Sequence, residues 1–264
     1  YSYYCLMQEY GPVPILPDKA FPTNASVEEM SYPRGTYDEC VNKVCGDFEL
    51  AAEMLKTERD ASTYRIPTSG AALALLSRMR LEAASPWFNG NKYYSGFQRS
   101  SDGQPYFSPT YDASKWGAAA AAAKRVIDLG LYELYTVRST VETPALPQNT
   151  GDPNLATRNY PDGGLGIDAY KSYSHMFTGD ETGYNISEFI WSRSGTADNS
   201  KLVFPYIMSG KNSISVNADF ADAYRMIDGR DINNSSEEFK YPTEGWRPIS
   251  EGSKTGLNKS LLGD

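Results

Sequence analysis

Residues 36–55 read TYDECVNKVCGDFELAAEML, and this stretch decides the fold. Thr36 is a residue whose hydroxyl caps a helix, and Glu39, three positions on, can reach back to the cap: a capping box. From there Tyr37, Cys40, Val41, Val44, Cys45, Phe48, Ala52 and Leu55 recur at three- and four-residue steps, the stripe of an amphipathic helix. The next periodic stretch, residues 68–86 (TSGAALALLSRMRLEAASP), starts at Thr68 or Ser69 after Pro67. It turns Ala72, Leu75, Leu76, Met79 and Ala83 inward and stops where Pro86 lacks a backbone donor. The third, residues 112–130 (DASKWGAAAAAAKRVIDLG), is capped near Asp112 or Ser114. It carries Trp116, Ala119, Ala120, Ala123, Val126 and Ile127 to a stop at Gly130, a residue suited to the left-handed position past a helix end.

Outward from this spine the chain is dominated by loops. Tyr1–Tyr10 reads as the last turns of a helix, and Tyr10–Pro17 as a helix stop followed by a proline-fixed extended segment. Residues 86–111 form a long aromatic-rich connection, of a length that is uncommon in a compact domain and often functional. Thr136–Tyr184 is dense in Pro, Gly, Asn and Asp, and reads as irregular. Asn185–Trp191, with Ile186, Phe189, Ile190 and Trp191, is expected as a strand, and Asn217 is expected to cap a helix over Ala218–Asp228 ended by Gly229. The reading is mainly α: degenerate tetratricopeptide-like helix pairs with long irregular loop-rich insertions and a little β. It places a helical repeat spine at 1–135 and, at 136–264, a loop-rich part with a short strand and one further helix. Helix starts near 36, 68 and 112 keep no single period, so any repeat is degenerate; the many Ala residues suit helices that approach closely.

Composition narrows the function. With 264 residues, 40% hydrophobic and 22% charged, the chain can bury a sizeable core. A formal charge of −8 with no Lys/Arg cluster argues against nucleic acid or an anionic lipid surface as partner. No run of 18 apolar residues is present. Cys5, Cys40 and Cys45 lack metal-site spacing, and Cys40 and Cys45 on one helix fit a disulfide poorly, so all read as small buried groups.

Reaction chemistry is sparse. His175, the single histidine, lies in a loop-like stretch, which removes a multi-histidine zinc site. Asp180-Glu181 and Glu237-Glu238 are adjacent acids that point different ways, unlike the opposed carboxylates of glycoside hydrolysis. Residues 162–166 (DGGLG) lack the strand-turn-helix setting of a phosphate cradle and read as a flexible loop. No catalytic residue, metal ligand or cofactor is expected.

Tyrosine stands out at 20 residues, beside 10 Phe and 4 Trp. An aromatic face stacks on the C–H face of a sugar, while Asn, Asp and Arg bind its polar rim. On that argument the candidate ligand-binding residues are Asn91, Tyr93, Tyr94, Tyr206, Trp246 and Arg247. Trp87 and Phe88 read instead as packing of the long loop onto the helices, and Trp191 as core.

Several segments, in order, resemble the SusD/RagB family of outer-membrane nutrient-binding lipoproteins from Bacteroidetes. Tyr10–Ile15 (YGPVPI) is similar to the family's Tyr-Gly-x-Val-Pro-Leu segment, and Gly70–Asn89 (GAALALLSRMRLEAASPWFN) to its Ala-rich helix ending in Ala-Ser-Pro-x-Phe-Asn. Trp116–Tyr135 resembles the Trp-x-x-Ala-Ala-x-Ala helix that runs into Gly-x-Tyr-x-Leu. Asn185–Trp191 and Phe220–Gly229 (FADAYRMIDG) resemble the Glu-x-Ile-Trp strand and a later helix end. The resemblance implies tetratricopeptide-like helix pairs beside a large irregular part. It also implies surface capture of oligo- or polysaccharide for import, as a lid on a SusC-like TonB-dependent transporter. The expected location is the extracellular face of the outer membrane, through a lipid anchor outside this chain. Family members are about twice as long, so the chain is expected to be an internal portion; none of Cys5, Cys40 or Cys45 sits in a lipobox. The alternatives are an α-repeat adaptor for peptide or protein and, further off, a glycoside hydrolase.

Overall fold

A computed structural model of the chain describes residues 1–147, 151–192, 217–226 and 228–236. It is mainly α: among the described residues β structure is confined to isolated bridges such as Pro14 with Arg34 and Gln98 with Pro105. Helices α1 (Ser2–Tyr10), α2 (Val27–Met30), α3 (Tyr37–Met54), α4 (Ser69–Ala84), α5 (Ser114–Ile127), α6 (Ala169–Thr178) and α7 (Ala218–Asp222) follow in order. The chain divides into two compact units, one of Tyr1–Leu134 with Glu181–Ser194, the other of Tyr135–Asp180 with the described residues after 216.

In the first unit α4 packs against both α3 and α5, the successive helix pairs the periodicity implies. The Thr36 hydroxyl accepts from the Glu39 amide, and the Glu39 carboxylate accepts from the Thr36 amide, closing the expected capping box. Thr68 caps α4 by accepting from Ala71, and the Asp112 carboxylate accepts the Ser114 amide ahead of α5. Buried Ala71, Ala72, Ala83, Ala84, Ala119 and Ala122 allow the close approach of these helices. The core joins Tyr4 and Met7 of α1, the α3 stripe, Leu76 and Met79 of α4, and Phe107 of the long connection. That connection folds back over the start of α3: Phe88 stacks on Tyr37 at 4.4 Å, Tyr94 on Phe107 at 4.4 Å, and the Tyr37 amide donates to the Tyr106 carbonyl.

All three cysteines are free; Cys40 and Cys45 are buried and Cys5 half-buried. Burial pushes the Cys45 thiol up to about 11 and raises Cys40 despite its bond to the Val13 carbonyl. In the native protein at pH 8 we expect Ellman's reagent to modify Cys5 alone, with Cys40 and Cys45 reacting only on unfolding. These raised values also mean that unfolding releases protons in alkali. The stabilisation they contribute is present below the ordinary thiol pKa and is lost as pH rises toward 11.

Four sequence expectations are corrected. Asn185–Trp191 is not a strand but a succession of turns, in which Asn185 donates to Thr182 and Phe189 to Ile186. Its bulky residues are placed by these turns, with Ile186 buried. The helix expected over Ala218–Asp228 ends at Asp222; beyond it the fully buried Asp228 carboxylate gathers the Arg230 and Ser236 amides and redirects the backbone. His175 lies on a helix, α6, rather than in a loop. That helix is capped by Asp168, whose carboxylate accepts from the Lys171 amide and the Thr143 hydroxyl. Residues 162–166 are a close-packed turn, since a Cβ at Gly163 would lie 2.4 Å from the carbonyl oxygens of Arg158 and Asn154. The sequence reading also passed over α2, capped by Ser26 and Glu29.

Candidate functional site

The candidate site grows from the end of α4. Pro86 stops that helix, and the next residues turn back, with the Phe88 and Asn89 amides donating to the Ser85 carbonyl. Asn89, 5% exposed, then pins the turn: its amide nitrogen donates to the Ala84 and Asp112 carbonyls and its oxygen accepts from the Asp112 amide. Gly90 follows at φ +77°, where a Cβ would meet the Tyr111 backbone nitrogen at 2.7 Å, so only glycine fits. Asn91 forms a second clamp, donating to the Trp87 carbonyl at 3.0 Å and accepting from the Tyr93 amide at 3.0 Å. It thereby caps a short 3-10 turn, Lys92–Tyr94.

This scaffold separates the aromatic side chains into two roles. Phe88 and Tyr94 point into the aromatic core, so the Tyr94 ring is engaged with Phe107. Trp87 and Tyr93 face outward, 68% and 97% exposed. Large aromatics so exposed on a hydrogen-bonded turn are preorganised for contact at little entropic cost. Trp87 also borders an open groove of about 550 Å³ lined by Tyr4, Leu81 and Phe88 together with Gln8, Arg78 and Glu82. Gln8 donates to the Tyr4 hydroxyl at 2.9 Å. An apolar ring beside amide, guanidinium and carboxylate groups suits a ligand with a C–H face and a hydroxyl rim.

Of the residues expected from sequence, the structure brings Asn91, Tyr93 and Tyr94 together: Asn91 as a clamp, Tyr93 as an exposed ring, Tyr94 as a packed one. Tyr206, Trp246 and Arg247 lie outside the described residues. Trp87, expected to pack, is exposed, because Pro86 and the Asn89 clamp turn the chain so that Phe88 takes the inward place. The groove residues from α1 and α4 were not legible, since nothing local in the sequence pairs Gln8 with Arg78. A further exposed aromatic set lies in the second unit, where Tyr173 meets Phe177 at 5.1 Å and Tyr224 at 6.3 Å. The Tyr170, Tyr173 and Phe177 spacing on α6 is its visible signal. Among the described residues no group of His, Cys, Asp or Glu could hold a metal ion, and no helix is long and apolar enough to cross a membrane.

Comparison with known proteins finds partial similarities. Residues 1–81 match the family model SusD-like_3, described as "Starch-binding associating with outer membrane". The solved structure named BT4246 is 27% identical with a TM-score of 0.56, over 76% of this chain and 34% of its own. Its selenomethionine form gives a TM-score of 0.60 at 22% identity, over 97% of this chain and 44% of its own. A SusD-like protein (BF3747) from Bacteroides fragilis NCTC 9343 gives a TM-score of 0.54 at 18% identity, over 94% and 37%. The chain therefore spans less than half the length of these solved relatives. No curated protein matches it significantly. Over its first 81 residues the chain is thus similar to a SusD-like family model, and it shares its helical fold with a solved SusD-like protein.

Proposed function

We propose that this chain captures oligo- or polysaccharide at the cell surface by stacking and hydrogen bonding, without chemistry of its own. The observation that carries the reading is the pair of exposed rings, Trp87 and Tyr93, on a turn held by Asn89 and Asn91, with Trp87 lining a groove that also holds Gln8, Arg78 and Glu82. The family description, which names starch binding and the outer membrane, supports the same reading. In its setting the captured glycan passes to a SusC-like TonB-dependent transporter, and the protein is held on the extracellular face of the outer membrane by a lipid anchor outside this chain. Binding by aromatic stacking needs no metal, so chelators leave it unchanged.

Affinity electrophoresis against a panel of plant and host polysaccharides tests the proposal. At least one glycan is expected to retard the protein. Trp87→Ala is expected to weaken that retardation by about tenfold or more, the scale of losing a central aromatic anchor. Retardation by no glycan in the panel, with the protein folded, would overturn it.

A further inference from the structure

A second cleft lies in the first unit, away from the groove beside Trp87. It is formed where the residues after α3 meet the turns that follow Glu181, and it encloses about 320 Å³, the lower end of the usual range for ligand pockets. Tyr64, Tyr132, Tyr184 and Trp191 supply aromatic walls, and Thr57 and Ser187 supply hydroxyls.

The walls are held in place. Trp191 donates its indole N–H to the Arg65 carbonyl at 2.9 Å, and the Ser69 amide donates to the Lys56 carbonyl at 3.0 Å. Tyr64 and Tyr184 meet edge to face at 6.1 Å. A Cβ at Gly70 would lie 1.9 Å from the Tyr132 hydroxyl, so the missing side chain is what admits that ring.

One charge in the wall lacks a counterpart. Arg59 donates through Nη2 to the Pro67 carbonyl at 2.7 Å, but its buried Nε has no hydrogen-bond partner. Arg59 takes part in none of the ion pairs among the described residues. The other charged lining residue, Glu58, is exposed to solvent. With no carboxylate paired to it among the described residues, the guanidinium is open to one from a ligand, and a planar carboxylate is the acceptor whose geometry matches it. Aromatic walls, hydroxyls and one unmatched guanidinium together describe a sugar that carries an acid.

We propose that this cleft is a subsite for an acidic sugar unit, its carboxylate paired with Arg59 and its ring against Tyr184 and Trp191. The inference rests on the reading of the chain as a glycan-capture protein and adds a substrate class to it. With a net charge of −8 the chain as a whole repels anions, so a preference for an acid requires a local cation.

Calorimetry with tri-galacturonic acid and with its methyl ester tests this, because the two differ in charge and share the ring. The acid is expected to bind the protein at least about tenfold tighter than the ester, the range of one charge-assisted pair. Arg59→Gln should remove that preference. Equal affinity for acid and ester, or a preference that survives Arg59→Gln, would overturn the subsite. If Arg59→Gln lowers the melting temperature, Tyr184→Ala replaces it: its exposed ring carries little of the fold, and it should weaken the acid by a similar factor. Retained affinity in that variant overturns the proposal equally. A neutral polysaccharide retarded through Trp87, with no acid preference, sinks this subsite alone; absence of all glycan binding sinks the capture reading with it.

Discussion

Tyr37→Ala is expected to lower stability by about 3–5 kcal/mol, the usual cost of emptying an aromatic site in a core, and the melting temperature by roughly 6–20 °C. Tyr37 is 2% exposed and stacks on Phe88 at 4.4 Å with 15° between the planes, while Phe107 lies 5.4 Å away. It is the second residue of the capped turn that starts α3, so its removal takes the support from beneath both that helix and the long connection. The matching control is Tyr37→Phe. The phenol oxygen is buried with no hydrogen-bond partner, and desolvation holds its pKa well above the tyrosine range. Deleting an orphan hydroxyl while keeping the ring is expected to be neutral or to stabilise by about 1 kcal/mol. Chemical denaturation of the two variants checks both signs. A loss above about 1 kcal/mol in Tyr37→Phe would show that the hydroxyl has a partner and would refute the packing argument.

Asn89→Ala is expected to cost about 2–4 kcal/mol and to weaken glycan retention together with stability. The side chain makes three bonds, two to carbonyls and one from the Asp112 amide, and the residue is almost wholly buried. Truncation leaves those backbone groups unpaired beneath the turn that carries Trp87 and Tyr93. Asn89→Asp separates the contributions: it keeps the acceptor for Asp112 but loses both donors and brings a negative charge toward two carbonyls. It should therefore destabilise by at least as much. Guanidinium melts of the two variants, read beside their mobility in glycan gels, give the comparison. Wild-type stability in Asn89→Ala would mean that the loop is held by something else.

The helical spine was legible because its signals are local. Thr36 with Glu39, Thr68 after Pro67, and Pro86 each act through the backbone within a turn, and the structure places helix ends at these residues. Asn185–Trp191 shows where local reasoning stops: alternating bulky residues suit a strand only if a partner strand lies beside them, and among the described residues turns take that place. The Ser26–Glu29 box carries the same signature as Thr36–Glu39 but opens a helix of four residues, with Val27 and Met30 exposed and no stripe to prolong it. The site divides in the same way. Tyr93 and Tyr94 are neighbours of one residue type, and only the distant Phe107 decides that one ring is packed and the other free. Arg59, Tyr132 and Trp191 come from three separated segments, so their cleft had no local trace.

The most direct measurement is titration calorimetry of whichever polysaccharide retards the protein, comparing wild type with Tyr93→Ala. Tyr93 is 97% exposed and its ring supports nothing else, so the variant should melt at the wild-type temperature. Capture by the exposed rings predicts a loss of about tenfold or more in affinity at unchanged stability. Unchanged affinity in both Tyr93→Ala and Trp87→Ala would contradict it and move the glycan site elsewhere on the chain.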